Sequence, residues 1–217
     1  RSTDDLVEVT SLGFRGEALP SIAAVSRLTL TSKQAAAEHG YMIQGEGRDE
    51  YQEPKPAPHH DGTTIEVRDL FFNLPARRKF LRTERTEFSH IDQLVRRLAL
   101  IRFDIAFTLI HNGRKVLTLP KATTQQAQEE RIGQLLSEEF LAASFHFTHT
   151  EELYSHNQAE PQTLTLEGWI AKPTFHRSNR NWQYVAINGR IVQDRLVAHA
   201  VREAYKDVMY GQMHPAF

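Results

Sequence analysis

Cysteine is entirely absent from the 217-residue sequence. Without thiols the chain can form neither a disulfide framework nor a thiolate-ligated metal site. The sequence also has no run of about 18 apolar residues, and its first residues are unlike the apolar core of a signal peptide. These absences exclude a membrane-spanning helix from the prediction and favour a protein of the cytoplasm.

An excess of one charge sign is missing as well, because 26 Lys and Arg residues face 27 Asp and Glu residues, for a net charge of -1. A chain that is nearly neutral has no global attraction for nucleic acid, so contact with a polyanion requires a local patch of cations. The composition, 40% hydrophobic and 24% charged, is typical of a folded globular protein. The length allows one large or two small domains.

The stretch 11–21 places two glycines around an aromatic residue and an arginine, directly before a helical pattern. Gly13 and Gly16 permit positive φ angles and a close approach of the backbone to a ligand. A helix is predicted to begin near Glu17, with Pro20 tolerated in its first turn. The first amides of a helix lack intrahelical acceptors and lie at the positive end of its dipole, which suits a phosphate. A tight loop with an ordinary helix cap is the alternative.

Strands are predicted where apolar and polar residues alternate, and helices where apolar residues recur at steps of three and four. The predicted strands are residues 27–32, 40–45, 64–68, 145–150, 163–171, 182–187 and 190–192. The predicted helices lie near residues 87–101, 132–140 and 196–204, with Arg96 and Arg97 on the solvated face of the first. The segment 52–61, rich in proline, is predicted to be a loop.

Two longer motifs carry a family resemblance. Residues 13–19 read GFRGEAL, and residues 62–81 read GTTIEVRDLFFNLPARRKFL. Both resemble motifs of the MutL family of DNA mismatch repair proteins, members of the GHKL ATPase superfamily, and they occur in the expected order and at the expected distance. The resemblance covers nearly the whole chain. It implies an α+β fold in which a partial GHKL (Bergerat) ATPase α/β sandwich is followed by a partial ribosomal-S5-like transducer domain.

The boundary between these two domains is predicted at residue 120. Asn112 and Gly113 lie between two alternating segments and predict a β-hairpin that ends near Pro120. The polar segment 121–128 then predicts a linker. The expected domains are residues 1–120, the C-terminal part of the ATPase domain, and residues 121–217, the N-terminal part of the transducer domain.

The resemblance assigns an ATP site to residues within the two motifs. The residues assigned are Gly13, Arg15, Gly16, Glu17, Ala18, Leu19 and Thr63. The backbone amides from Gly16 to Leu19 are expected to donate to phosphate. Arg15 can pair with a phosphate or anchor the loop to an acidic residue, and both readings stay open. The hydroxyl of Thr63 can approach a phosphate oxygen or orient an acidic partner near the adenine.

The resemblance implies ATP and Mg²⁺ as cofactors and ATP hydrolysis in the full-length protein. In the family, the catalytic glutamate, the magnesium-binding asparagine and the adenine-binding aspartate precede GFRGEAL, and a lysine that reaches the γ-phosphate follows later. None has a counterpart in this sequence, which is therefore expected to be an internal fragment with negligible ATPase activity of its own. No catalytic residue is assigned. His59, His60 and Asp61 are adjacent in an extended segment and lack further ligands at zinc-like spacing, so no metal site is assigned either.

DNA contacts are predicted in the second domain, where arginines alternate with aromatic residues. The candidates are Arg177, Arg180, Arg190 and Arg195. Arginines can contact backbone phosphates, and aromatic rings can stack on unpaired bases. The alternative is that the aromatic residues belong to the core and the arginines are solvated. The resemblance implies weak, non-specific binding of single- and double-stranded DNA.

The function implied by the resemblance is an ATP-dependent molecular switch in the bacterial cytoplasm that links mismatch recognition to strand processing. ATP binding is expected to drive dimerisation of two N-terminal regions, and a mismatch-recognition protein of the MutS type is the expected partner. No membrane partner is expected. The alternative is a non-catalytic DNA-binding or protein-interaction module. A kinase or topoisomerase of the same superfamily is disfavoured, because neither is expected to contain both motifs.

Overall fold

The computed structural model describes residues 16–47, 51–154, 161–209 and 213–217. The chain mixes helices with antiparallel strands, as the predicted α+β class requires. It divides into two compact units, residues 1–87 and 88–217. No helix within the described ranges is long and apolar enough to cross a membrane.

The helices are α1 (Ala18–Ala23), α2 (Pro75–Arg78), α3 (Glu84–Ile101), α4 (Gln125–Leu135), α5 (Glu138–Ala142) and α6 (Arg195–Tyr205). The strands are β1 (Arg27–Lys33), β2 (Gly40–Glu46), β3 (Lys55–Ala57), β4 (Gly62–Arg68), β5 (Phe107–His111), β6 (Arg114–Leu119), β7 (Ser144–Leu153), β8 (Gln162–Ala171), β9 (His176–Arg177), β10 (Val185–Ile187), β11 (Arg190–Val192) and β12 (His214–Pro215).

The first unit is built on an antiparallel sheet with the strand order β3-β2-β1-β4. Leu28 of β1 is 1% exposed and lies opposite Gly45 of β2 and Val67 of β4, so the three residues share one face of the sheet. Helix α1 covers this face at β2, because a Cβ added to Gly45 would lie 3.0 Å from the Cβ of Ala23. Glycine at position 45 therefore leaves room for the helix that contains the last two residues of GFRGEAL.

The prediction of a loop at residues 52–61 is wrong for β3, which forms an edge of the sheet. Pro56 of β3 lies opposite Tyr41 of β2. Proline is compatible with an edge strand because its missing N–H is not required by a neighbour on the outer side. Gly40 permits the close approach, since a Cβ there would lie 2.9 Å from the carbonyl oxygen of Ala57.

The second unit has an aromatic core around Phe140, which is 1% exposed and belongs to α5. Phe175 and Trp182 pack against it, with ring centroids 5.8 Å and 6.2 Å from that of Phe140. Trp182 was predicted to begin a strand, but β10 begins at Val185 because the indole ring is turned into this cluster.

A single helix over residues 132–140 is also a wrong prediction, since α4 ends at Leu135 and α5 starts at Glu138. The side chain of Ser137 accepts a hydrogen bond from the backbone N–H of Phe140 at 3.1 Å and so caps a new helix.

The predicted hairpin around Asn112 and Gly113 is confirmed, with β5 and β6 paired antiparallel. Asn112 has a φ of 49° and Gly113 a φ of 75°, the left-handed angles that a two-residue hairpin turn requires. Leu119, at the end of β6, packs with Ala99 of α3 and Leu135 of α4. This packing places the hairpin in the second compact unit, while the domain boundary at residue 120 stays a prediction.

Candidate nucleotide and nucleic-acid sites

The described part of the predicted phosphate loop begins at Gly16, and Gly13 and Arg15 lie outside the described residues. Gly16 has a φ of 68°, the left-handed conformation expected for a glycine of this loop. Among the residues that the structure describes, none has an atom within 4 Å of a Cβ added at Gly16. The chain then turns directly into α1.

The first turn of α1 is open to solvent. Glu17 is the N-cap residue, but its side chain makes no capping hydrogen bond. The Glu17 carbonyl accepts from the Ser21 N–H at 3.0 Å, which closes the first helical turn. Ala18 is exposed and Leu19 half-buried, and helix geometry leaves their N–H groups without intrahelical acceptors. The arrangement can therefore donate two backbone hydrogen bonds to an anion.

Thr63 lies at the start of β4, opposite Ser32 near the end of β1. The two hydroxyl oxygens are 2.8 Å apart, and Ser32 Oγ can also donate to the Gly62 carbonyl at 3.2 Å. Because Ser32 has a single hydroxyl proton, Thr63 either accepts that proton and is free to donate to a ligand, or donates to Ser32. The sequence analysis missed Ser32, since no pattern within one strand reveals the partner opposite it.

Asn73 ties the second motif to the end of the first helix. Its side-chain amide donates to the carbonyls of Ala24, at 2.9 Å, and Gly47, at 3.3 Å. The backbone N–H of Phe71 donates to the Val25 carbonyl at 2.7 Å. Residues 24 and 25, which follow α1, are thus joined to the second motif within the first unit.

Arginine side chains meet at a cavity of about 430 Å³ in the second unit. Arg97 of α3, Arg180 and Arg195 of α6 line it together with Tyr184. Burial raises the pKa of Tyr184, an effect that the charge of Arg97 offsets only in part. Whereas Arg96 and Arg102 pair with aspartates, the three lining arginines form no ion pair with a carboxylate of the described chain. One carboxylate, that of Asp194, also lines the cavity and accepts from the N–H groups of Leu196 and Val197, so three cations face a single carboxylate there.

Two of the predicted DNA-contact residues, Arg180 and Arg195, are brought together in this cavity, and the other two are not. The Arg177 guanidinium carbon lies 4.2 Å from the ring centroids of both Phe175 and Trp182. Such stacking uses the face of the guanidinium and leaves its N–H edge able to donate. Arg190 is half-buried on β11, opposite Ile187 across the turn of that hairpin.

Comparison with known proteins identifies the family. Residues 141–217 match the family described as the C-terminal domain of DNA mismatch repair proteins. Over all 217 residues, the chain is 48% identical to the DNA mismatch repair protein MutL of Pseudomonas aeruginosa and 49% identical to that of Azotobacter vinelandii. It spans about a third of the length of these relatives, 33% and 32%. The structure resembles the ATPase domain of Aquifex aeolicus MutL complexed with ADP, with a TM-score of 0.60 and 30% identity over 94% of this chain and 71% of that chain.

The chain belongs to the MutL family. The resemblance inferred from GFRGEAL and the second motif is thereby confirmed, as is an α+β fold that contains part of a GHKL ATPase domain. A further solved structure, the N-terminal domain of a DNA repair protein, shares the fold with a TM-score of 0.74 at 21% identity over the whole chain and 67% of that chain.

In this MutL-family chain, Arg97 is the cavity residue that the sequence analysis placed wrongly. Both Arg96 and Arg97 were expected on the solvated face of the helix. Arg96 forms an ion pair with Asp92, four residues earlier, at 2.8 Å, and Arg97 instead lines the cavity beside Tyr184. Helical spacing alone predicts the ion pair between Arg96 and Asp92. The other residues that line the cavity lie more than eighty positions after Arg97, so no local pattern indicates its place in the cavity.

Proposed function

We propose that this chain forms part of an ATP-dependent molecular switch that links mismatch recognition to strand processing. The observation that carries the proposal is the open first turn of α1 after the left-handed Gly16. It is supported by the likeness to a MutL ATPase domain that was solved with ADP. On this proposal, residues 1–120 belong to the ATPase domain and residues 121–217 to the transducer domain.

The amides of Ala18 and Leu19 would donate to phosphate oxygens of the nucleotide, with Gly13 and Gly16 allowing the close approach. Arg15 would pair with a phosphate, and Thr63 would donate its hydroxyl proton to the ligand while accepting from Ser32. The carboxylate of Glu17 would interact favourably with the positive end of the helix dipole. It would not contact the phosphate, because two anions repel.

ATP hydrolysis is proposed for the complete protein, with Mg²⁺ as the accompanying ion. No group of three or more His, Asp or Glu side chains in the described ranges is placed to hold a metal. No residue of this chain is proposed for Mg²⁺ or for the chemical step, because the family resemblance implies that these residues precede GFRGEAL. The contribution proposed for this chain is the binding of phosphate and the coupling of that binding to the rest of the fold.

A pair of glycine variants tests the nucleotide site. Gly16→Asp in the complete protein should weaken nucleotide binding about a hundredfold or more, because a carboxylate beside a phosphate costs several kcal/mol at short range. Gly113→Asp is the matched control, since Gly113 also has a positive φ and no described residue has an atom within 4 Å of a Cβ added there. Both variants thus introduce comparable backbone strain and the same charge.

The measurement is a titration with a fluorescent ATP analogue, accompanied by thermal melting of both variants. The proposal is supported if the melting temperatures of Gly16→Asp and Gly113→Asp fall equally while only Gly16→Asp loses affinity for the ATP analogue. Unchanged affinity in a folded Gly16→Asp protein would remove the phosphate role from this loop.

DNA binding is proposed for the cavity of Arg97, Arg180 and Arg195, with Arg177 and Arg190 as flanking contacts. A guanidinium group without an acidic partner can donate to backbone phosphates, which gives binding without sequence preference. We propose contact with both single- and double-stranded DNA, homodimer formation on ATP binding, and a MutS-type protein as the partner, all in the bacterial cytoplasm.

A second candidate function is a DNA-binding or protein-interaction module without catalysis. The observation that favours it is that the arginine-lined cavity consists of residues of the second unit alone. The two candidates differ in their dependence on nucleotide. A module would bind DNA equally with and without ATP, whereas the switch would change its DNA affinity when ATP is added.

A further inference from the structure

A second cavity, of about 610 Å³, lies beside the C-terminal half of α6. Arg202 of α6 and Lys206, the residue after this helix, contribute to its wall, as do Arg180 and, from β12, His214. Its wall is held by two hydrogen bonds: the side-chain amide of Gln183 donates to the Pro215 carbonyl at 3.1 Å, and the Tyr205 hydroxyl donates to the Ala171 carbonyl at 2.9 Å. The cavity is therefore bounded by residues fixed to the core of the second unit.

Among the charged residues that line this cavity, cations outnumber carboxylates. Arg180 and Arg202 have no carboxylate at ion-pair distance among the described residues. Lys206 Nζ lies 3.6 Å from Glu203 Oε2, and both side chains are more than half exposed, so this pair is weak. One carboxylate thus faces three permanent cations at the cavity wall.

His214 is the titratable group of the cavity. Its pKa lies below the usual value of a histidine, chiefly because of burial and then because of the charges of Arg180 and Arg202. The charged or titratable groups around it come from β9, from the segment after β9, and from α6 and the residue after this helix: His176, Arg177, Arg180, Arg202, Glu203, Tyr205 and Lys206. The imidazole is therefore neutral near pH 7, and its protonation is opposed mainly by burial and positive charge.

We propose that this cavity binds a tetrahedral oxyanion of the phosphate class between Arg202 and His214, and that binding is coupled to the uptake of one proton by the imidazole. The anion removes the electrostatic opposition to protonation, since its negative charge lies beside the ring. In return, the protonated ring becomes a second charged donor to the anion. Affinity should therefore rise as the pH falls, by about tenfold for each unit by which the anion raises the pKa of His214.

We take the natural anion to be a phosphodiester of the DNA backbone, and this part of the proposal rests on the proposed DNA binding. Free phosphate offers the same chemistry. On this proposal, the contact between DNA and the second cavity becomes stronger in mildly acidic solution. The first cavity would then supply attraction at any pH, and the second would add a proton-dependent contact.

Sulfate is the probe of choice, because it keeps its two charges throughout the range in which histidine titrates. The 217-residue chain is titrated with sulfate at about pH 6 and about pH 8, on either side of the reference histidine value. We expect tighter binding at the lower pH, loss of sulfate affinity in Arg202→Gln, and loss of the pH dependence in His214→Gln. Arg114→Gln and His199→Gln are matched controls, since neither residue lines this cavity, and they should behave as the unmodified chain.

A second measurement uses only the unmodified chain, so the test does not depend on whether His214→Gln folds. The imidazole resonances of the unmodified chain are followed by NMR against pH, with and without sulfate, and the pKa of His214 should rise when sulfate is present. An unchanged His214 titration, or sulfate affinity equal at both pH values, overturns the proposal.

A final arm separates this site from the proposed function. Arg195→Gln alters only the first cavity, so it should leave the sulfate response intact even if it removes DNA binding. A short oligonucleotide that shifts the His214 titration as sulfate does identifies the natural anion as a phosphodiester. If sulfate shifts it and the oligonucleotide does not, the anion site stands with free phosphate as its ligand, and the link to DNA is overturned.

Discussion

Arg131 of α4 is a buried cation that is compensated by carbonyl groups. It is 3% exposed, and its guanidinium donates to the carbonyls of Ala99 at 3.3 Å, Arg102 at 3.1 Å and Ile105 at 3.0 Å, and to that of Pro120. Desolvation lowers its pKa. Because two of these carbonyls belong to the last turn of α3 and the residue after it, the charge also meets the negative end of that helix.

Replacing Arg131 by methionine should destabilise the second unit by about 3 kcal/mol or more, because several buried carbonyls lose their donor at once. Arg131→Lys should recover part of the loss, since an ammonium keeps the charge but cannot reach all the acceptors of the planar fork. Urea unfolding of the 217-residue chain measures the difference. The exposed Arg114→Met is the control and should change stability by no more than about 0.5 kcal/mol. A loss in Arg131→Met as small as that of the control would show that water satisfies these carbonyls.

Nothing in the local sequence distinguishes Arg131 from its solvated neighbours in α4. Its partners lie 11 to 32 positions earlier in the chain, and only tertiary structure brings them together. Gly16 represents the opposite case: its left-handed φ follows from a glycine placed before a helix, so the local conformation of the candidate site was predictable. Backbone features follow from nearby residues, whereas the partners of a side chain do not.

At the scale of elements, the end of α1 is joined to the turn after β4 by the side-chain amide of Asn73 and by the bond from the Phe71 N–H to the Val25 carbonyl. Asn73→Asp should weaken the first unit by about 0.5–1.5 kcal/mol, because a carboxylate cannot donate to the two carbonyls and the hydrogen bonds of this exposed side chain are lost. If the first turn of α1 binds nucleotide as proposed, the affinity of the complete protein for nucleotide should fall as well, since this amide holds the other end of that helix.

The exposed Asn179→Asp serves as the control, because Asn179 accepts a hydrogen bond through an oxygen that aspartate retains. Chemical denaturation and nucleotide titration of both variants provide the comparison. If Asn73→Asp keeps both its stability and its affinity, the contact between the second motif and the end of α1 has no energetic role.

Element types were more predictable than their ends and partners. The strands around Leu28 and Ile65 follow from alternation, because their apolar residues share one face of the sheet, which α1 covers at β2, although Ile65 of β4 is 51% exposed. The break between α4 and α5 was missed, since the helical spacing of apolar residues continues across Ser137 and the capping role of that serine competes with it. The edge strand β3 was missed because the proline within it and those on either side favour a loop when its pairing with β2 is unknown.

At the scale of the molecule, the net charge of -1 gives no global attraction for DNA, so the proposed DNA binding must depend on local clusters of arginine. If Arg180 and Arg195 each neutralise a backbone phosphate, the double change to glutamine in the complete protein should flatten the dependence of log K on log salt by about 1.8 on duplex DNA. Affinity should fall similarly for unrelated sequences, because phosphate contacts do not read bases.

Filter binding at several salt concentrations, on two unrelated duplexes and one single strand, measures both quantities. Arg114→Gln should retain the slope of the unmodified protein. A double variant that also retains it would assign Arg180 and Arg195 to the solvated surface, in agreement with the alternative that the sequence left open.

The two tryptophans of the chain, Trp169 and Trp182, both pack around the Phe140 core of the second unit. The intrinsic indole emission of the protein therefore reports on one compact unit and is silent about the other. Unfolding followed by fluorescence would record the loss of the Phe140 cluster, while far-ultraviolet circular dichroism would record both units. If the unfolding transition recorded by fluorescence differs from the one recorded by circular dichroism, the first and second units unfold as separate cooperative units.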